Sequence, residues 1–312
     1  MKIALPESIR AQLEGRLPSD VEVRWYAGPP AADEAVQGMD VIWMDIFTAP
    51  RIREVLETGR DLRWVTTIQA GVNDWPFARM RERGLVLTNG KGIAAVPIAE
   101  FVVMGVLAMA KDLRALLGYQ DQKRWTPWTT RAMEVAGSRA LIVGYGAIGR
   151  EIGRRLQGLD VEVTGVRRSP SNEPGVIGPD DWRAQLGAFD WIILAAASTE
   201  ETRHIFGAEE LAMMKPSARV VNIARGALID QAALIAALEA GRIAGALLDV
   251  TDPEPPPAGD PIWSAPNVLL TSHSSAVSSG WQGRAADIFL DNLERYRSGR
   301  PLHNQVNLEL GY

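Results

Sequence analysis

Three glycines in the pattern G-x-G-x-x-G directly follow an apolar run, residues 139–143, and open a helical pattern. Between a strand and a helix, the first glycine permits a tight turn, the second lets a ligand approach the backbone, and the third lets the helix pack closely on the sheet. The N–H groups at the start of such a helix attract phosphate. The segment therefore predicts a site for the pyrophosphate of a dinucleotide, although a glycine turn without a ligand is the alternative. The loop residues expected at this site are Gly144, Gly146, Ala147, Ile148 and Gly149.

Short apolar runs alternate with helical patterns along most of the chain. In the first part, the predicted strands are residues 2–5, 21–25, 41–43, 64–68 and 85–88. In the second part, they are residues 139–143, 162–166, 191–195, 220–223, 245–249 and 268–271, and helical stretches begin between them near Ile148, Asp181, Ala208 and Gln231. This repeated order of strand and helix is typical of parallel, doubly wound sheets.

The chain has 312 residues, which is enough for two domains of ordinary size. Residues 97–117 predict one long apolar helix that links the domains, and residues 120–128 predict an irregular crossing. Residues 280–297 predict a helix that returns to the first domain. We therefore expect an α/β fold with two Rossmann-like domains, doubly wound parallel sheets and a cleft between the domains. The expected boundaries are 1–98 with 284–312 for a discontinuous domain, and 99–283 for the dinucleotide-binding domain.

Basic residues follow the second strand of the dinucleotide-binding domain. Arg167, Arg168 and Ser169 occupy the place where an acidic residue would accept hydrogen bonds from the ribose of NAD. Guanidinium groups offer planar donors that match the oxygens of a 2′-phosphate. The segment favours NADP(H) as the cofactor, and NAD(H) is the alternative. Solvated arginines at a strand end are the alternative interpretation.

Polar residues also follow the last three predicted strands of this domain. Arg225 comes after the fourth strand, Asp249 ends the fifth, and His273 comes after the sixth. Because ligands bind outside the carboxyl ends of strands in open α/β sheets, we expect these three loops to converge on one crevice.

Four segments of the second domain resemble the signatures of the D-2-hydroxyacid dehydrogenase family: residues 144–149, residues 221–230, residues 246–255 and residues 266–273. In the first domain, Ala70, Gly71 and Val72, which precede Asn73, are similar to the loop that binds the substrate carboxylate in this family. Chain length and the Arg-Arg-Ser segment make the glyoxylate/hydroxypyruvate reductase branch the most similar. The resemblance implies an NAD(P)-dependent reductase of a small 2-oxo acid, whose discontinuous domain binds substrate and which forms a homodimer through its cofactor domain.

The reaction explains the residues that the resemblance assigns as catalytic. Arg225 can hold the substrate carboxylate and polarise its carbonyl with two donors in one plane. His273 is suited to donate a proton to the developing alkoxide, and Glu254 is similar to the carboxylate that orients the family's histidine and favours its charged form. Ala224 is expected to line the cofactor site. For Asp249, hydrogen bonding to the nicotinamide amide and a structural role are both open.

Composition excludes several other functions. The net charge is -5 and the sequence contains no cysteine, so we expect no nucleic-acid partner and no thiol catalysis, and we expect no metal in the site. No uncharged stretch is long enough to span a membrane, which fits a cytoplasmic protein with no membrane partner. The main alternative function is a dinucleotide-sensing corepressor of the same fold. Oxidation of phosphoglycerate or formate is an alternative within the enzyme class.

Overall fold

The structure is a computed structural model that describes residues 1–45, 48–72, 74–125, 132–169 and 172–310. Its chain contacts separate two units, Met1–Ala94 with Ser278–Tyr312 and Ala95–Val277. Both boundaries lie a few residues before those expected from the sequence. The first falls there because residue 95 begins the first helix of the second unit.

The regular elements follow one another in alternating order. The strands are β1 (Lys2–Pro6), β2 (Glu22–Tyr26), β3 (Val41–Trp43), β4 (Trp64–Thr66), β5 (Val86–Thr88), β6 (Arg139–Val143), β7 (Glu162–Val166), β8 (Val176–Ile177), β9 (Trp191–Leu194), β10 (Arg219–Asn222), β11 (Gly245–Leu248) and β12 (Val268–Leu270). The α-helices are α1 (Arg10–Leu13), α2 (Ala32–Ala35), α3 (Ala49–Thr58), α4 (Phe77–Glu82), α5 (Ala95–Ala110), α6 (Leu113–Asp121), α7 (Ala147–Gln157), α8 (Ala208–Met213), α9 (Gln231–Glu239) and α10 (Trp281–Arg297).

Among the described residues, the first unit contains a five-stranded parallel sheet in the order β2-β1-β3-β4-β5. Its central strands β3 and β4 are buried and apolar apart from Thr66, as expected for a parallel sheet covered on both faces. Helix α10 belongs to this unit, where the ring of Phe289 packs 5.1 Å from Trp43 and 5.5 Å from Trp64 between ring centres. The chain therefore returns to its first unit after completing the second.

The second unit contains, within its described part, a seven-stranded parallel sheet in the order β12-β11-β10-β9-β6-β7-β8. From β6 the chain first builds outward through β7 and β8, and then from β9 it builds in the opposite direction to β12. The order therefore reverses between β6 and β9, and such a switch point opens a crevice at the carboxyl ends of the strands. This is the predicted doubly wound, Rossmann-type sheet.

Three local predictions were wrong. The single helix expected over residues 97–117 is two helices, because Asp112 adopts a left-handed conformation with φ 51° and ψ 43° that ends α5 and starts α6. Asp tolerates this conformation better than most residues do. Helix α6 then continues to Asp121, into the segment expected to be irregular, whose last residues lie outside the described chain. Near Asp181 the chain forms a short 3₁₀ helix, Arg183–Ala188, rather than an α-helix.

No helix in the described parts of the chain has both the length and the hydropathy that crossing a membrane requires.

Candidate active site

The glycine loop lies between β6 and α7 and has the geometry of a phosphate cradle. Gly144 has φ 102°, and a Cβ atom there would lie about 2.4 Å from the backbone of Ala196. A Cβ on Gly149 would lie 2.4 Å from the carbonyl oxygen of Gly144, so this glycine lets α7 pack on the turn. At Gly146, a Cβ would meet no atom within 4 Å.

Gly146 is also the N-cap of α7, and it has no side chain to cap the first turn. The backbone there faces open space, and the partial positive charge of the helix points into it. These residues, together with Ala147 and Ile148 in the first turn, fit the phosphates of a dinucleotide.

Tyr145 was not singled out from the sequence, although it shapes the same loop. Its side chain is 9% exposed, and a Cβ on Gly165 of β7 would lie 2.3 Å from its ring. The guanidinium of Arg150 lies 5.3 Å above the ring centre and forms an ion pair with Glu173. Burial raises the pKa of the Tyr145 hydroxyl, which therefore stays neutral. The sequence signal that could have indicated this role is an aromatic residue within the glycine loop together with a glycine, Gly165, in the next strand.

The basic segment follows the end of β7 at the same edge of the sheet. The backbone N–H of Arg167 donates to Ile177 in β8 over 3.1 Å, which anchors the start of the segment. Arg168 and Ser169 are exposed, and Arg168 lies 3.9 Å from the carboxylate of Glu201. The geometry leaves the guanidinium of Arg168 accessible from solvent.

The three residues predicted to be catalytic follow the neighbouring strands β10, β11 and β12. Nδ1 of His273 lies 2.6 Å from Oε1 of Glu254, and both side chains are exposed. Because a carboxylate only accepts hydrogen bonds, Nδ1 carries a proton and Nε2 is the ring nitrogen left for other partners. The structure thus brings two of the predicted residues into direct contact.

Arg225 begins the loop after β10 and is exposed. Its Nη1 donates to the carbonyl oxygen of Ala224 over 2.7 Å, which leaves further guanidinium donors for another group. A Cβ on Gly226 would lie 2.0 Å from the backbone of Thr251, so the glycine allows the Arg225 loop to lie against the segment that leads to Glu254.

Asp249 is buried, with 1% of its surface exposed, and its carboxylate points at the loop that carries His273. It accepts hydrogen bonds from the hydroxyl of Thr271 over 2.7 Å and from the N–H groups of Ser274 and Ser275 over 2.9 Å. Burial alone would raise the pKa of this carboxyl, but the hydrogen bonds outweigh it and lower the pKa. These contacts support the structural alternative that the sequence left open.

In the first unit, the loop predicted to bind a carboxylate follows β4. Ala70 and Gly71 are exposed and Val72 is buried. The side chain of Asn89 donates to the carbonyl oxygen of Ala70 over 2.8 Å and steadies the loop. Asn73 lies outside the described residues.

Within the part of the chain that the structure describes, no three His, Asp or Glu side chains are grouped so that they could hold a metal ion.

Comparison with known proteins gives consistent matches. Residues 103–275 match the profile of the D-isomer specific 2-hydroxyacid dehydrogenase, NAD binding domain. A glyoxylate reductase of Korarchaeum cryptofilum is 31% identical over 284 residues, which cover 89% of this chain and 85% of that protein.

Solved structures agree with these sequence matches. A D-isomer specific 2-hydroxyacid dehydrogenase family protein of Aeromonas salmonicida has a TM-score of 0.84 at 26% identity, covering 98% of this chain and 99% of the other. A D-isomer specific 2-hydroxyacid dehydrogenase of Xanthobacter autotrophicus in complex with NADPH and MES has a TM-score of 0.79 at 26% identity, covering 100% and 99%.

Proposed function

Because the chain belongs to the D-isomer specific 2-hydroxyacid dehydrogenase family and is an NAD(P)-dependent enzyme, we propose that it reduces a small 2-oxo acid to the D-2-hydroxy acid. Glyoxylate and hydroxypyruvate are the proposed substrates, and NADPH is the favoured cofactor. The observation that carries the proposal is the contact of His273 with Glu254 at the sheet edge where the Arg225 loop also begins.

The proposed roles of the chain's residues follow from these contacts. Arg225 binds the substrate carboxylate and polarises the adjacent carbonyl, since its guanidinium keeps donors that Ala224 does not use. His273 donates the proton on Nε2 to the developing alkoxide oxygen. Glu254 accepts the hydrogen bond from Nδ1–H and orients the ring.

When bound, the nicotinamide supplies the hydride. We propose that the loop from Gly144 to Gly149 holds the pyrophosphate, and that Arg167, Arg168 and Ser169 hold a 2′-phosphate, because β7 is followed by donors rather than by an acid. Ala224 is proposed to lie beside the cofactor. The NADPH in the Xanthobacter structure supports this choice, and NADH remains the alternative.

The substrate class rests on two kinds of support. The glyoxylate reductase of Korarchaeum cryptofilum favours a small oxo acid. In the first unit, we propose that the exposed backbone of Ala70 and Gly71, with Val72 anchoring the loop, binds the carboxylate. A corepressor without turnover is not favoured, because the relatives are named as reductases and dehydrogenases. The cytoplasmic location remains a prediction.

We also propose a homodimer formed through the second unit. Helix α6 has no buried residue along its fully described length, although it is rich in leucine. Exposed apolar side chains continue onto α5 and beyond the end of α6, namely Met104, Leu107, Leu113, Leu116, Leu117 and Trp125. Exposed apolar side chains that recur along consecutive helices are typical of a subunit interface.

The catalytic proposal is tested by His273→Asn and Glu254→Gln. We expect His273→Asn to lower kcat by about 100-fold or more, because it removes the proton donor, and we expect NADPH affinity to stay unchanged in a fluorescence titration. Glu254→Gln should lower kcat less, since the ring keeps a partner but loses a charge. His204→Gln, an exposed histidine in the same unit, is the control. Near-normal turnover by His273→Asn would remove His273 from the mechanism.

A further inference from the structure

We infer that Asn222 and Asp249 act together as a buried positioning pair that fixes the Arg225 loop and the His273 loop relative to each other. The inference rests on the proposed function for its kinetic consequences, and on the hydrogen bonds of the two side chains for its structural ones. Both residues are 1% exposed, and both stand at the carboxyl ends of neighbouring strands, Asn222 in β10 and Asp249 just after β11.

Asn222 uses both atoms of its amide on the Arg225 loop. Its Oδ1 accepts from the N–H of Ala224 over 3.1 Å, and its Nδ2 donates to the carbonyl oxygen of Arg225 over 2.9 Å. The side chain therefore bridges the peptide group that precedes Ala224 and the peptide group that follows Arg225. An amide is required here, because the loop presents one donor and one acceptor.

Asp249 holds the His273 loop in the complementary way, through acceptors alone. Its two carboxylate oxygens take the N–H groups of Ser274 and Ser275, and Oδ1 also takes the hydroxyl of Thr271. The N–H of His273 itself donates to the backbone oxygen of Asp249 over 2.8 Å. Every residue from 273 to 275 is thus tied to this one aspartate.

These ties explain an unusual backbone conformation. His273 has φ 50°, in the left-handed region that non-glycine residues rarely adopt and that persists only where the surroundings enforce it. The hydrogen bonds to Asp249 on both sides of His273 supply that enforcement. They select the conformation in which Nδ1 meets Glu254.

The two residues are also joined to each other. The N–H of Asp249 donates to the backbone oxygen of Asn222 over 3.0 Å, which continues the β10–β11 ladder past the last residues of the strands. A shift of either loop is therefore transmitted to the other through one hydrogen bond between buried, fully paired groups. Asp249 acts as a positioning residue in this arrangement.

The first arm of the test measures the loops without turnover. Hydrogen exchange of the full-length protein should show faster exchange at Ser274 and Ser275 in Asp249→Asn, since one amide then faces an NH₂ group instead of an oxygen. Asn222→Asp should speed exchange around residues 224–226, because its carboxylate cannot donate to Arg225. Unchanged hydrogen exchange in both variants would contradict the proposal that these two side chains position the loops.

The second arm measures kinetics. We expect Asn222→Asp to raise KM for the oxo acid about tenfold and Asp249→Asn to lower kcat about tenfold, as one misdirected hydrogen bond would do, with the Kd of NADPH unchanged. The loss of kcat/KM in the double variant should be smaller than the product of the losses in the two single variants, because both residues hold the same pair of loops. A weaker Kd for NADPH in Asp249→Asn, with hydrogen exchange unchanged at Ser274 and Ser275, would assign Asp249 to the nicotinamide instead and overturn its positioning role.

Milder and control variants separate positioning from general stability. Thr271→Val removes one donor to Asp249 and should lower kcat severalfold, while Thr271→Ser should restore it. Ser138→Ala is the control, because Ser138 is a buried hydrogen-bonding residue at the opposite end of the sheet, bonded to Val135 and Trp191. If the site variants lower thermal stability as Ser138→Ala does but keep kcat and KM, the pair is only structural. If the wild type turns over no oxo acid, the proposed function fails. Hydrogen exchange alone then tests whether Asn222 and Asp249 fix the two loops.

Discussion

At the scale of single residues, our proposal assigns the choice of dinucleotide to the residues that follow β7. An acid at this position would repel a 2′-phosphate, whereas Arg167, Arg168 and Ser169 offer donors to it. Arg168 is exposed and its partner Glu201 lies 3.9 Å away, so an exposed pair of this kind contributes little to stability. Its side chain is therefore exposed to a ligand that approaches from solvent.

Arg168→Asp should weaken the binding of NADPH at least about tenfold more than that of NADH, because a carboxylate replaces a donor beside the phosphate. Titrations with both cofactors give the two values of Kd. Arg242→Asp, which makes the same charge change at an exposed position before β11, should leave the ratio unchanged. Equal losses for both cofactors in Arg168→Asp would argue against the phosphate role.

At the scale of elements, the sequence predicted best where local chemistry and tertiary structure agree. The glycine loop could be placed because Gly144 and Gly149 stand where a Cβ atom would clash, and Gly146 leaves the backbone open to a ligand. The parallel strands could be recognised because most of them are short, mainly apolar runs that alternate with helical patterns. The break at Asp112 could not be found, because the apolar pattern runs across it and the left-handed turn depends on packing. The strand Val176–Ile177 is too short to show a period.

The site followed the same rule. The sequence could name Arg225, Glu254 and His273, because their order relative to the strands resembles that of a family. It could not distinguish the two roles of Asp249, because only the structure shows which way its carboxylate points. The amide of Asn222 was overlooked for the same reason.

The side chain of Arg83 caps the C-terminal end of helix α3, and this role can be tested. Its guanidinium donates to the carbonyl oxygens of Leu56 and Gly59 at the end of α3, which have no partner within the helix. Burial lowers the pKa of this arginine, but it remains charged. Arg83→Met should lower the free energy of unfolding by about 1–2 kcal/mol in urea titrations. Arg53→Met, an exposed position on α3, should change it by less than about 0.5 kcal/mol, and equal effects would contradict the capping role.

At the scale of the whole molecule, the parallel order of the second sheet explains why the candidate site residues of that unit lie at one edge. Because every paired strand in the second sheet is parallel, the glycine loop, the basic segment and the loops of Arg225, Glu254 and His273 all emerge at its carboxyl edge. Side chains far apart in the sequence are thereby collected without any long loop. The exposed leucines of α6 serve assembly in our proposal.

Leu117→Asp should convert the proposed dimer to a monomer, raising its dissociation constant at least about tenfold, because a charge would be buried in an apolar interface. Sedimentation equilibrium measures the mass. Met213→Asp is the matched control, since Met213 is 50% exposed and Leu117 is 51% exposed. A wild-type monomer, or a Leu117→Asp variant that stays dimeric, would contradict the interface.

The central claim is that the chain reduces a small 2-oxo acid, with NADPH preferred. The most direct test follows the near-ultraviolet absorbance of the reduced nicotinamide with the wild-type protein and glyoxylate, hydroxypyruvate, pyruvate or phenylpyruvate, each with NADPH and with NADH. We predict fastest oxidation with NADPH and glyoxylate or hydroxypyruvate, and a D-configured product from the latter. Tight binding of either dinucleotide without oxidation by any of the four acids would contradict the claim.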